Sequence, residues 1–126
     1  MFPLHSEDDV VRLRRAVRSM AIGIGFGLVD QTKVVTAASE LARNALVHGG
    51  GGEARLEILQ GARTGLQITV EDTGPGIPNL ELALLDGYST ANGLGLGLGG
   101  TRRLMHEFQV STEPGVYTRV VAVRWK

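Results

Sequence analysis

Glu40, Asn44 and His48 recur at four-residue spacing, so on a helix they stand one above another on a single face. A carboxylate one turn before an amide offers a proton acceptor and an oxygen ligand for Mg²⁺, an ion that prefers oxygen donors and keeps several of its waters. Taken alone the trio is also an ordinary helix surface ending in a histidine that favours the helix dipole. Two further groups change that reading. Asp72 stands between a strand-like run and the turn-forming Thr73-Gly74-Pro75-Gly76. A carboxylate there can accept from an exocyclic amine, while Gly74 and Gly76 let the turn pass close to a planar base. Gly93, Gly95, Gly97 and Gly99 then alternate with Leu94, Leu96 and Leu98. The leucines would anchor the inner side of a lid, and the glycines would leave backbone N–H groups free to face an anion. The three groups together suit a Mg·ATP site, with the glycine stretch wrapping the phosphates.

Two other glycine motifs are excluded. The run 95–100 formally satisfies G-x-G-x-x-G, but the turn-like, polar Asp86-Gly87-Tyr88-Ser89-Thr90 precedes it, and no alternating parallel-sheet pattern surrounds it. A phosphate loop of the G-x-x-x-x-G-K-[ST] type is absent from the sequence.

Composition sets the limits on everything else. At 126 residues with 43% apolar content the chain suits a single domain spanning 1–126. Thirteen basic residues balance thirteen acidic ones, so no long-range field recruits nucleic acid; a protein or small-molecule partner fits better. With no cysteine, and with His5, His48 and His106 scattered, no disulfide framework or metal-ligand spacing is present. The longest apolar run, 20–29, is about half a membrane span and carries Gly23, Gly25 and Gly27. Nothing at the N-terminus reads as a signal peptide, so a cytoplasmic protein with no membrane contact is expected.

The elements that must position these groups follow from periodicity. Residues 2–5 suit a short edge strand, after which Ser6 can cap a helix whose first turn holds Glu7, Asp8 and Asp9. That helix should reach about residue 21, burying Val10, Leu13, Val17, Met20 and Ala21. Arg12, Arg15 and Arg18 lie outside this stripe, as a solvated face or a partner-binding surface. Glycines at 23, 25 and 27 break it, and Asp30 or Thr32 should cap a second helix over 31–47. Its stripe of Val34, Val35, Ala38, Leu41, Ala42, Ala45 and Leu46 would pack on a sheet. Gly49 to Gly52 then read as a helix stop and a flexible loop. Runs 53–60 and 65–71 alternate as an antiparallel hairpin, Asn79 can cap a short helix through residue 85, and 101–108 reads as another helix. Strands over 109–112 and 117–125 close an α+β two-layer sandwich.

Glu40-Leu-Ala-Arg-Asn44 resembles the N box, Asp72-Thr-Gly-Pro-Gly76 the G1 box and Gly93-Leu-Gly-Leu-Gly-Leu-Gly99 the G2 box of the GHKL ATPases, the family of gyrase B, Hsp90, histidine kinases and MutL. Phe26-Gly27-Leu28-Val29-Asp30-Gln31, Asp86-Gly87-Tyr88-Ser89-Thr90 and Arg103-Leu104-Met105-His106-Glu107-Phe108 narrow the likeness to stressosome-type serine/threonine kinases and related anti-sigma kinases. The resemblance covers about 9–125. It implies a Bergerat-type fold, with a mixed, mainly antiparallel sheet covered on one face by helices. By that likeness Glu40 would deprotonate an incoming hydroxyl, Asn44 would hold Mg²⁺, and Asp72 would bind the adenine amino group. Thr118 would help hold the base, and Gly74, Gly76, Gly93, Gly95, Gly97 and Gly99 would shape the adenine turn and the lid. Arg103 would sit at a phosphate-contacting position, or at a solvated helix position. His48 matches the anti-sigma relatives and would also cap its helix. The function implied is ATP- and Mg²⁺-dependent phosphorylation of STAS-domain proteins in a partner-switching stress pathway, with release onto an output protein such as a PP2C-type phosphatase. The alternative is an anti-sigma factor that sequesters a sigma factor in a nucleotide-dependent way. A nucleotide binder without turnover fits less well, because Glu40 is kept.

Overall fold

The computed structural model describes residues 1–74, 97–113 and 115–126. The chain opens with strand β1 (Phe2–Leu4), and Ser6 then caps helix α1 (Glu7–Gly23), its hydroxyl accepting from the Asp9 amide at 3.3 Å. Three acids in the first turn complement the helix dipole, and Val10, Leu13, Val17 and Ala21 are buried as the periodicity requires. Gly25, at φ 90°, reverses the chain, a left-handed conformation that disfavours any side chain.

Helix α2 (Leu28–Val47) begins earlier than the expected Asp30 or Thr32 cap. Gly27 is its N-cap, and no side chain bonds the first turn there. The Gln31 amide instead donates to the Gly27 carbonyl at 2.9 Å, while its side-chain nitrogen donates to the Phe26 carbonyl at 2.9 Å. Asp30 is thereby released for a different bond, described below.

Strands β2 (Gly52–Gln60), β3 (Thr64–Asp72), β4 (Glu107–Glu113) and β5 (Tyr117–Trp125) join β1 in one sheet of order β1-β2-β3-β5-β4. Every described pairing is antiparallel; the mixed character expected of the sheet is not seen among the described residues. Register aligns Ala54 with Val70, Val70 with Val120, Ile68 with Ala122 and Phe108 with Ala122. These side chains share the face that α1 and α2 cover, and Ala54, Leu66, Ile68, Val70, Val120 and Ala122 are buried there with Leu13, Val17, Val34, Ala38 and Leu41. The other face is polar, with Arg119 donating to Glu71 at 2.8 Å across two strands.

One expected helix moves. The segment 101–108 is not helical throughout: helix α3 (Gly97–Arg103) starts earlier, and β4 begins at Glu107. Thr101 is the reason at the near end, its hydroxyl donating to the Gly97 carbonyl at 2.8 Å, one turn back. At the far end the His106 amide donates to the Val123 carbonyl at 2.9 Å, so sheet pairing captures the chain before a helix can continue. Phe108 still packs on the core, from a strand. The expected short helix from Asn79 lies outside the described residues.

Candidate functional site

Helix α2 is the spine of the site. Glu40 and Asn44 lie one turn apart on it, partly buried, beside the fully buried Leu41 and Ala45 stripe. Arg43 stands 3.9 Å from the Glu40 carboxylate, an i,i+3 contact whose arginine is largely exposed. Asn44 supplies its backbone carbonyl to the His48 and Gly49 amides, at 2.9 and 3.3 Å, as the helix closes. His48 is the C-cap residue and exposed, so the structure agrees with its capping role.

Beyond the cap, the glycine run is a packed joint. A Cβ on Gly49 would come within 2.4 Å of the Asp72 carboxyl carbon, and one on Gly74 within 2.5 Å of the Gly49 Cα. A Cβ on Gly52 would meet the Glu71 carbonyl at 2.2 Å. The expected flexible loop is therefore corrected: the 49–52 and 71–74 stretches close on one another here, backbone against backbone at Gly52 and Gly74 and against the Asp72 side chain at Gly49, and glycine permits the approach. Gly51, at φ 110°, turns the chain into β2. This joint is what sequence reasoning missed. A run of four glycines is equally consistent with freedom and with close packing, and only the partner across the gap distinguishes them.

The joint holds Asp72 at the end of β3, against the C-terminal end of α2. One Asp72 oxygen accepts from the Gly74 amide at 2.9 Å, an Asx turn that starts the loop after the strand. Burial pushes the Asp72 carboxyl above the ordinary carboxylate range, and the neighbouring Glu71 adds to it, against the pull of the Gly74 N–H. A carboxylate desolvated this way gains from a donor brought by a ligand, as an exocyclic amine would be. Thr118 is directly opposite Asp72 in the β3–β5 register and buried, with its hydroxyl 3.1 Å from that of Thr112. Asp72, Thr118, Gly74 and the Glu40–Asn44 helix thus converge on one end of the molecule.

The third group arrives through α3, which packs against α2. Gly97 opens α3 at φ 68°, and Leu98, Gly99 and Thr101 are buried. The last two of the four alternating glycines, Gly97 and Gly99, therefore belong to a helix docked on α2. Arg103 closes α3 and is exposed. Gly76, Gly93 and Gly95 lie outside the described residues. The donor set on α2, one amide oxygen and one carboxylate, is hard and oxygen-based, which fits Mg²⁺.

The sequence matches the profile of the histidine kinase-, DNA gyrase B- and HSP90-like ATPases over residues 29–126. It is 43% identical over 121 residues to the serine/threonine-protein kinase RsbT of Bacillus subtilis (strain 168), covering 95% of this chain and 91% of that one. It is 30% identical over 99 residues to an anti-sigma F factor of Clostridium kluyveri, covering 75% of this chain and 70% of that one. Among solved structures, the mycobacterial sensor histidine kinase MprB superposes with a TM-score of 0.60 at 20% identity, covering 98% of this chain and 95% of that one, a likeness of fold. On the family match and the identity to that kinase, the chain belongs to the histidine kinase-, gyrase B- and HSP90-like ATPases, as an RsbT-like serine/threonine kinase.

Proposed function

We propose that this chain is a single-domain, cytoplasmic kinase that transfers the γ-phosphoryl group of ATP to a serine or threonine of STAS-domain proteins, switching partners as it does so. The observation that carries the reading is the glycine joint, which holds the half-buried Asp72 against the end of the helix that bears Glu40 and Asn44. In this reading Asp72 and Thr118 hold the adenine, and Gly74 and Gly76 shape the turn beneath it. Gly93, Gly95, Gly97 and Gly99 close over the phosphates, with Arg103 as a phosphate contact. Asn44 would hold Mg²⁺, which when bound would offset the charge of the phosphate oxygens.

Glu40 takes the proton from the attacking hydroxyl. As the new oxygen–phosphorus bond forms, the bond from γ-phosphorus to the bridging oxygen breaks and ADP leaves with the electron pair. Positioning supplies much of the acceleration, so a compact site of a few polar groups is chemically sufficient. Once its partner is phosphorylated, the kinase would be free to engage an output protein such as a PP2C-type phosphatase.

Incubation with γ-labelled ATP and the STAS-domain protein encoded nearest to it tests the reading. Label on a serine or threonine of that protein is expected, and loss of magnesium should abolish it. Tight nucleotide binding with no label would favour the second reading, a nucleotide-dependent anti-sigma factor, which the likeness to anti-sigma F factors supports.

A further inference from the structure

Asp72, Thr118 and Thr112 stand in one row across β3, β5 and β4, Asp72 opposite Thr118 and Thr118 opposite Thr112. A threonine hydroxyl beside a carboxylate ordinarily donates to it, because a bond to a charged acceptor is about twice as strong as one to a neutral group. Thr118 does not. Among the described residues the Asp72 carboxylate accepts only from the Gly74 amide, while the buried Thr118 hydroxyl lies 3.1 Å from that of Thr112. The direction of that bond follows from counting protons, since each hydroxyl carries one proton and two lone pairs. Thr112 gives its proton to the Tyr117 carbonyl, at 3.1 Å, and a carbonyl can only accept. Thr118 must therefore donate to Thr112, away from Asp72. What remains on Thr118 is lone pairs, and the ionised Asp72 beside it is likewise an acceptor alone.

We infer that, given adenine at Asp72 and Thr118 as proposed above, Thr112 is a positioning residue for the choice of base: by taking the Thr118 proton it fixes an acceptor-only pair that admits a C6 amine and rejects a C6 carbonyl. A 6-amino purine brings two N–H groups to the two side chains. A 6-oxo purine, guanine or hypoxanthine, sets a third acceptor against them with no hydrogen to share. Sites built to bond a donor reject an analogue that lacks it more sharply than an apolar pocket rejects a misfit, because their buried polar groups are left unpaired. Thr112 acts through Thr118, from the edge strand of the sheet.

Calorimetric titration of the whole protein with non-hydrolysable analogues of ATP, GTP and ITP, in the presence of magnesium, tests this. The wild type should bind the ATP analogue well ahead of the other two. In Thr112→Val the Thr118 proton is released toward Asp72 and the base, so ATP binding should weaken, GTP and ITP binding should strengthen, and the ATP-to-GTP affinity ratio should fall about tenfold, the worth of one hydrogen bond. Thr112→Ser keeps the hydroxyl and should keep the ratio. In a Thr118→Val background, Thr112→Val should leave the ratio unchanged, because the group it acts through is gone. If Thr112→Val fails to fold, Thr112→Ala serves, with the same fall expected. A threonine that only braces the hairpin would weaken all three nucleotides alike. That result, or a ratio in Thr112→Val equal to the wild type's, overturns the inference, while loss of ATP affinity in Asp72→Asn would leave the adenine reading standing. Equal binding of the ATP and GTP analogues to the wild type would overturn both.

Discussion

The β3–β5 pair has two polar ends, and they are built on opposite principles. At one end Asp72 faces Thr118 across the register; at the other Gly65 faces Trp125. The Trp125 end is saturated. Arg124, buried on the helix-facing side, donates to Asp30 of α2 from two nitrogens, at 3.1 and 2.5 Å, and to the Leu104 carbonyl at 2.8 Å. The Trp125 indole donates to Glu107 at 2.6 Å, and its amide donates to a ring nitrogen of His106 at 2.8 Å. At the Asp72 end a half-buried carboxylate stands beside another carboxylate and is compensated by one amide, so its ionisation is disfavoured. Polar groups at a structural joint have their bonds within the chain; those at a working site keep capacity for a ligand.

Substitutions can break this contrast. The largest effect expected is from Glu40→Ala, which should cut phosphoryl transfer by about 10²-fold or more while nucleotide affinity stays near wild type. A labelled-transfer assay with a parallel nucleotide titration separates the two, and near-normal transfer would remove Glu40 from its role. Asp72→Asn should weaken ATP binding by about thirtyfold, on the order of 2 kcal/mol, because a charge-assisted acceptor is lost. Its thermal stability should hold or rise, since an uncharged side chain no longer carries the burial penalty; calorimetry reads both. Arg124→Met inverts that pattern. It leaves Asp30 and the Leu104 carbonyl without their donor and should cost about 1.5 kcal/mol of stability, the partial exposure of Asp30 limiting the loss, with ATP affinity kept.

The smallest effect concerns pH. Burial, then the nearby Arg124 and Arg63, hold the His106 pKa below its ordinary value, so the fold favours the neutral ring that accepts from the Trp125 amide. A histidine whose folded pKa is depressed contributes stability that is full above its unfolded pKa and is lost as pH falls through the folded one. Unfolding midpoints should therefore drop on acidification below about pH 6.5, and His106→Gln should remove that part of the slope. A slope unchanged in the variant would assign the acid sensitivity elsewhere.

The packed joint and the moved helix show where reading from residues alone stops. Ser6 as a cap, the α1 and α2 stripes and the alternation in β2 and β3 are local facts, written in three- and two-residue periods, and the structure follows them. Asp30 was a good cap by type, yet Arg124, nearly a hundred residues away, takes it. Likewise 101–108 has helical periodicity, but Val123 supplies a pairing partner for His106 that no local pattern records.

By itself the sequence determined the family boxes, the helix that carries Glu40 and Asn44, and the inner face of each strand, because chemistry and periodicity are properties of neighbours in the chain. Tertiary structure alone decided that Gly49, Gly52 and Gly74 are contact points and that α3 starts at Gly97. It also decided which end of the β3–β5 pair has its polar groups bonded within the chain, the Arg124–Trp125 end. Each of those depends on what stands across a gap, and closeness in space between distant residues is set by packing the whole chain around one core.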